Sequence, residues 1–355
     1  MRNEQVANRQ KLSSLGGGGG GFLLLFLFLS LFKATAQEPV QLSKINRQKT
    51  FRHTVPAGNY SGITSIGGDR YAIVSDKAPE LGFFLFHISI DSITGTLRDV
   101  VCEGFVGAAS GSGAPDLEAI TFVPDRRTLF LADEATTISE YTLDGQPTGR
   151  CLPLQMYGNL NKNYGLESLT YNAQTHRFWT CNEAAPIHLQ AFDEQLQPVA
   201  SYTYPLDAPK AAHRKAASKR GQSELAQRFP SESRLSKARN YAHGVSELLA
   251  LSDGALLVLE REFYVPKRKV GAWVINKLYQ YFPDSEATKH LVAQWKTRLN
   301  LTRRALANYE GMCLGPRLAD GRQVIILVSD SQNQYAGILR DYFKTIVIER
   351  NDNRR

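Results

Sequence analysis

Asp116-Leu117-Glu118-Ala119-Ile120-Thr121, followed 13 positions after Ile120 by Asp133, is a pattern that this chain repeats. Ser61-Gly62-Ile63-Thr64 reaches Asp76, and Gly165-Leu166-Glu167-Ser168-Leu169-Thr170 reaches Asn182, each over the same 13-residue step from its Ile63 or Leu169. A fourth copy, Gly244-Val245-Ser246-Glu247-Leu248, reaches Glu260-Arg261 after 12 and 13 residues. A fifth, Tyr309-Glu310-Gly311-Met312, reaches Ser329-Asp330 after a longer turn. Each copy joins two β-type runs through turn residues that tolerate positive φ, such as Gly67-Gly68-Asp69, Pro124-Asp125, Ser252-Asp253-Gly254 and Asp320-Gly321.

The repeat length points to the architecture. Glu118 and Glu167 lie 49 residues apart, and removing a basic insertion of about 30 residues leaves a comparable step from Glu167 to Ser246. Units of this length, each with room for four strands, predict an all-β chain folded as a β-propeller. The five hairpins, together with the runs at 273–281 and 290–295 and the two termini, predict six blades, with five or seven also allowed. The regular strand–helix alternation of a parallel α/β sheet is absent.

Composition fixes the class and then misleads about charge. The 355 residues are 43% hydrophobic, with 42 Lys+Arg against 34 Asp+Glu, a formal charge of +8 and a sequence pI near 9.2. Such a chain can bury a sizeable core and is neither disordered nor polytopic. Arg2, Arg9 and Lys11 precede an apolar run from Phe22 to Phe32, and Ala34-Thr35-Ala36 supplies small residues for cleavage. Residues 1–36 therefore read as a secretory signal, too short to span a bilayer, and 37–355 as one exported domain, periplasmic or secreted. The stretch 209–240 reads as a solvated surface insertion and carries nine basic residues against two acidic ones, or +7. Without the signal the charge is 38 against 33, or +5, so the remaining domain is close to −2. A nucleic-acid partner is not expected for an exported chain whose basic excess sits in one insertion.

Cys102, Cys151, Cys181 and Cys313 follow no metal-binding spacing, and their even number permits two disulfides in three connectivities. Asn59-Tyr60-Ser61 and Asn300-Leu301-Thr302 are glycosylation sequons. There is no G-x-S-x-G elbow and no H-E-x-x-H.

In a propeller the innermost strands line a central channel, so residues at one repeat position form a ring. Glu118, Glu167 and Glu310 take such a position, with Ser61 and Ser246 in the other two copies. The second strands end at Asp76, Asp133-Glu134, Asn182-Glu183, Glu260 and Asp330. An antiparallel hairpin returns near its start, so up to nine carboxylates gather at one mouth. Such a cluster suits Ca²⁺, which takes six to eight oxygens, better than Zn²⁺. Glu118, Asp133, Glu167, Glu310 and Asp330 are the candidate metal ligands. Glu118, Glu167, Glu310, Arg261 and Lys77 are the candidate catalytic residues, with Arg261 or Lys77 stabilising charge on a transferred group. Lys162 and Arg340 also lie near the acidic positions in sequence and offer sites for a phosphate or carboxylate.

Four of these blocks resemble a known family: Ser61-Gly62-Ile63 with Ser75-Asp76, Asp116 to Ile120 with Asp133-Glu134, Gly165 to Leu169 with Asn182-Glu183, and Tyr309 to Met312 with Ser329 to Asn333. Over about Ser61 to Ile348 the chain is similar to the phytase-like domain family, labelled "esterase-like activity of phytase". The resemblance implies a β-propeller and hydrolysis of phosphate monoesters or related esters by a small-molecule hydrolase, here expected to be monomeric. The competing reading is a non-catalytic propeller that binds a glycan, peptide or cell-envelope partner through the same mouth, which predicts an apolar or aromatic-lined channel.

Overall fold

The computed structural model describes residues 39–78, 80–108, 116–133, 137–152, 166–209, 241–266, 270–284, 288–299, 304–331, 334 and 339–350. The expected signal segment, most of the basic insertion, Glu134, Lys162, the second sequon and Gln332-Asn333 lie outside the described residues.

Twenty strands form five sheets of four. Blade one is β2 (Tyr60–Gly67), β3 (Arg70–Ser75), β4 (Gly82–Ile90) and β5 (Leu97–Gly107). Blade two is β6 (Leu117–Val123), β7 (Thr128–Asp133), β8 (Thr137–Thr142) and β9 (Pro147–Leu152). Blade three is β10 (Leu166–Asn172), β11 (Arg177–Asn182), β12 (Ile187–Phe192) and β13 (Pro198–Tyr204). Blade four is β14 (Tyr241–Ala250), β15 (Leu256–Tyr264), β16 (Trp273–Tyr281) and β17 (Lys289–Arg298). Blade five runs β18 (Asn308–Arg317), β19 (Gln323–Asp330), β20 (Phe343–Glu349), and takes its outer strand, β1 (Gln41–Ile45), from the other end of the chain.

The propeller thus has five blades, within the expected range but one fewer than the favoured six. The runs at 273–281 and 290–295 are the outer strands of blade four, and the N-terminal strand completes blade five instead of helping to start a sixth. Joining first and last strands in one sheet closes the ring without a covalent link and covers what would be an open edge.

Apolar side chains fill all five spaces between blades. Between blades one and two lie Val74, Phe83, Ile120 and Leu131; between four and five lie Leu257, Leu259, Met312 and Ile325. The remaining three seams are filled in the same way. The inner strands touch in the order β2, β6, β10, β14, β18 and back to β2. A repeated threonine helps to lock them: the hydroxyls of Thr64, Thr121 and Thr170 accept the backbone N–H groups of Phe122, Tyr171 and Ala250 in the following blade, at 3.1, 3.1 and 3.0 Å. The Ile-Thr and Leu-Thr pairs of the repeat are therefore explained by blade-to-blade closure. Near the axis the approach is close enough to demand glycine: a Cβ on Gly62 would lie 2.8 Å from Ala119 Cα and 3.0 Å from Ile120 N. All four cysteines are free thiols, Cys181 and Cys313 buried and Cys151 exposed.

Candidate active site at the propeller mouth

The ring position is created by a backbone irregularity. In β2/β3, Tyr60 faces Ser75 but Gly62 faces Val74, so Ser61 is an extra residue with no partner of its own. The same register shift leaves Glu118 extra in β6, Glu167 in β10, Ser246 in β14 and Glu310 in β18. A β-bulge of this kind kinks the strand and re-aims a side chain. All five blades carry it at the same repeat position, just where the inner strand enters the channel.

The serines serve the wall. Ser61 Oγ donates to Leu117 O of blade two at 2.5 Å, and Ser246 Oγ donates to Leu259 O at 3.3 Å. The glutamates serve the opening: Glu118, Glu167 and Glu310 line a cavity of about 340 Å³ with Asn59, Asp76, Lys77, Arg261 and Asp330. Four of the five expected metal ligands and all five expected catalytic residues meet there. Asp133 does not: it closes β7 opposite Leu117 and is not part of this lining. Its counterpart in blade one, Asp76, takes that place because it lies one residue beyond the end of β3, in the turn.

Nor do the other strand ends all point inward. Asn182 folds onto its own loop, donating to Ala184 O and Pro186 O at 2.6 and 3.0 Å and accepting from the backbone of His188 at 2.7 Å. Glu260 faces away from the mouth, accepting from Tyr204 Oη at 2.8 Å and from Lys289 Nζ at 2.7 Å. Strand alternation then turns the adjacent Arg261 into the cavity.

Two cations counter the five carboxylates. Arg261, only 6% exposed, donates to Glu310, to Asn308 Oδ1 at 2.9 Å and to Glu183 Oε1 at 2.6 Å. Asn308 Nδ2 also donates to Glu310 Oε1 at 2.8 Å. Arg261 thus holds two carboxylates through its terminal nitrogens, while its Nε is buried without a hydrogen-bond partner among the described residues. Lys77, half exposed on the rim, has its ammonium 3.0 Å from both Asp76 Oδ2 and Asp116 Oδ1.

This leaves a surplus of negative charge in a poorly hydrated place. Burial, reinforced by Glu167 and Glu310 and then by Asp76 and Asp116, pushes the Glu118 carboxyl well above the usual range. Burial also raises Glu310, against the opposing pull of Arg261. Asp76 is raised by burial despite Lys77, and its Oδ1 is buried without a hydrogen-bond partner among the described residues. The lining is polar throughout, with no aromatic side chain, unlike the channel that the non-catalytic reading predicts.

The sequence reading missed Asn59, Asp116 and Asn308. All three stand two residues before a bulge residue, namely Ser61, Glu118 and Glu310, so the signal was there as a second column of the same repeat. Asn59 is 2% exposed and Ser61 fully buried, so the first sequon is closed to glycosylation in the folded protein.

A family profile described as "Phytase-like: Esterase-like activity of phytase" matches residues 55–332, most of the chain. The chain belongs to the phytase-like family. That match contains all five bulges and every residue of the mouth, and it supports a propeller with a hydrolase-type function in general terms. The curated proteins yielded no match. Among solved structures, one titled "Structure of U3-55K" aligns at a TM-score of 0.39 and 8% identity over 82% of this chain and 79% of its own, a likeness too slight to bear on function.

Proposed function

We propose that this phytase-like protein hydrolyses phosphate monoesters or related esters at the acidic mouth with the aid of Ca²⁺. The observation that carries the reading is the shared bulge, which in three of five blades delivers a glutamate into one cavity where carboxylates outnumber cations five to two. The donor set suits a hard cation: it is oxygen-rich, it holds the unpartnered Asp76 Oδ1, and oxygens of Asp76, Asp116 and Glu118 lie within 4.8 Å of one another.

Asp76, Glu118, Glu167, Glu310 and Asp330 would hold the ion. Once bound, Ca²⁺ supplies Lewis acidity toward a phosphoryl or acyl oxygen and acidifies water at the site. The chain's own groups do the rest. Arg261 and Asn308 fix Glu310 in place, so Arg261 is a positioning residue. Lys77, on the rim, is placed to neutralise charge that develops on the transferred group. A carboxylate of the lining that is not coordinated to the ion would take the proton from an attacking water.

The test is turnover of phytate, p-nitrophenyl phosphate and p-nitrophenyl acetate by the mature chain, with Ca²⁺ or with chelator. Turnover on at least one substrate, lost on chelation and reduced by roughly a hundredfold or more in Glu118→Gln/Glu167→Gln, is expected. Turnover indifferent to both would overturn the assignment.

The charged n-region, the apolar run to Phe32 and Ala34-Thr35-Ala36 support export of the mature protein. N-terminal sequencing of the exported chain should begin at Gln37; an intact Met1 end would contradict it.

A further inference from the structure

A second cavity, about 360 Å³, lies where blades one and five meet, lined by Arg52, Arg304 and Arg340 around a floor that includes Phe51, Val55 and Leu339. Among the described residues none of these three arginines forms an ion pair. Three unpaired guanidiniums around one concavity repel each other unless an anion joins them, and the planar N–H fork of arginine matches the oxygens of phosphate and carboxylate. The cavity contains one carboxylate, Asp341, whose Oδ2 accepts the Gly58 N–H at 3.3 Å and whose Oδ1 is buried without a hydrogen-bond partner among the described residues. Burial pushes the Asp341 carboxyl up to about 6, so at neutral pH it offsets at most one of the three positive charges.

The position of the cavity matters as much as its charge. An intermediate pocket of about 320 Å³ shares Ala57 and Gln334 with the arginine cavity and shares Asn59 and Lys77 with the acidic mouth. The three concavities therefore run into one another along the segment from Arg52 to Asn59. One end of this groove is acidic and cation-seeking, and the other is basic.

We infer that the arginine cavity is an oxyanion-binding site, and that it holds a second acidic group, phosphate or carboxylate, of a molecule whose ester lies at the mouth. The second half of this inference rests on the proposed hydrolase reading, whereas the first half does not. An elongated ligand anchored at Arg52, Arg304 and Arg340 would lie along the intermediate pocket past Lys77 and present its other end to the carboxylates.

Two measurements separate the halves. In the presence of chelator, inorganic phosphate and acetate are titrated calorimetrically into the mature chain, into Arg52→Gln/Arg304→Gln and into Glu118→Gln/Glu167→Gln. Arg52 and Arg304 are exposed, so their replacement leaves the fold intact, which thermal melting verifies. Saturable binding of at least one anion is expected in the parent and in the glutamate variant, weakened roughly tenfold or more in the arginine variant, the loss of charge-assisted contacts. No binding to the parent, or equal binding in the arginine variant, would overturn the site. In the second arm, kcat/KM is compared for a monoester with and without a second acidic group. A preference for the doubly acidic substrate that disappears in the arginine variant is expected; an unchanged preference would contradict the groove. If no ester is turned over, the hydrolase reading and the substrate half fall, and the phosphate and acetate titrations still decide whether the site binds anions.

Discussion

Two positions three residues apart on the same inner strand behave in opposite ways. At the bulge, Glu118, Glu167 and Glu310 crowd carboxylates into a cavity where burial opposes the ionisation of Glu118 and Glu310, and repulsion from Glu167 and Glu310 adds to it at Glu118. Three residues further on, Thr121, Thr170 and, in blade one, Thr64 satisfy a backbone N–H of the next blade. The first position costs the fold stability and the second contributes to it. One repeat thus separates a reactive mouth from a closed wall, and the difference is set by which way a single extra residue turns the side chain.

That contrast can be broken most severely at Arg261, the one nearly buried cation of the mouth. Arg261→Met leaves Glu310 and Glu183 without their counter-charge, and a loss of about 3–5 kcal/mol is expected in denaturant melts. A loss below about 1 kcal/mol would show that the carboxylates do not depend on it.

The wall is attacked at Gly62, whose Cβ would meet backbone atoms of blade two that cannot swing aside. Gly62→Ala should cost about 2–3 kcal/mol, while the exposed turn glycine Gly68, at φ +58° with nothing near it, marks a control in which alanine meets backbone strain but no steric contact. Equal effects at the two positions would remove the argument for close blade packing.

The smallest effect has the opposite sign. A carboxyl with a raised pKa holds its proton more tightly in the folded than in the unfolded chain. The stability linked to that proton is therefore present below the ordinary carboxyl range and is lost as pH rises above it. In chelator, Glu118→Gln should melt about 2–4 °C above the parent at pH 8 and nearly level with it at pH 4. A gap that is the same at both values would mean that repulsion at the mouth is not what destabilises the parent.

Much of this was legible in the sequence because hairpin geometry is rigid. The 13-residue step from Ile63, Ile120 and Leu169 reflects strands of fixed length joined by tight turns, so the ring of Glu118, Glu167 and Glu310 could be read directly. The blade number was harder, since outer strands such as β16 and β17 carry no repeated residue and β1 is sequentially remote from the sheet it completes. Side-chain direction at the strand ends was hardest. Asp76, Asp133, Asn182 and Glu260 occupy like positions in sequence, yet one residue of offset or one local hydrogen bond decides which of them faces the mouth. The same uncertainty hid the contacts of Arg261: its spacing marked it as a cation of the site, but only the structure shows its terminal nitrogens holding Glu183, Asn308 and Glu310.

Whether the acidic mouth holds a cation is decided by calorimetric titration of Ca²⁺ into the mature, chelator-stripped chain. Saturable binding to the parent is expected, accompanied by a rise of several degrees in melting temperature, with both lost in Glu118→Gln/Glu167→Gln. Absence of binding to the parent, or binding that survives unchanged in the double variant, would contradict it.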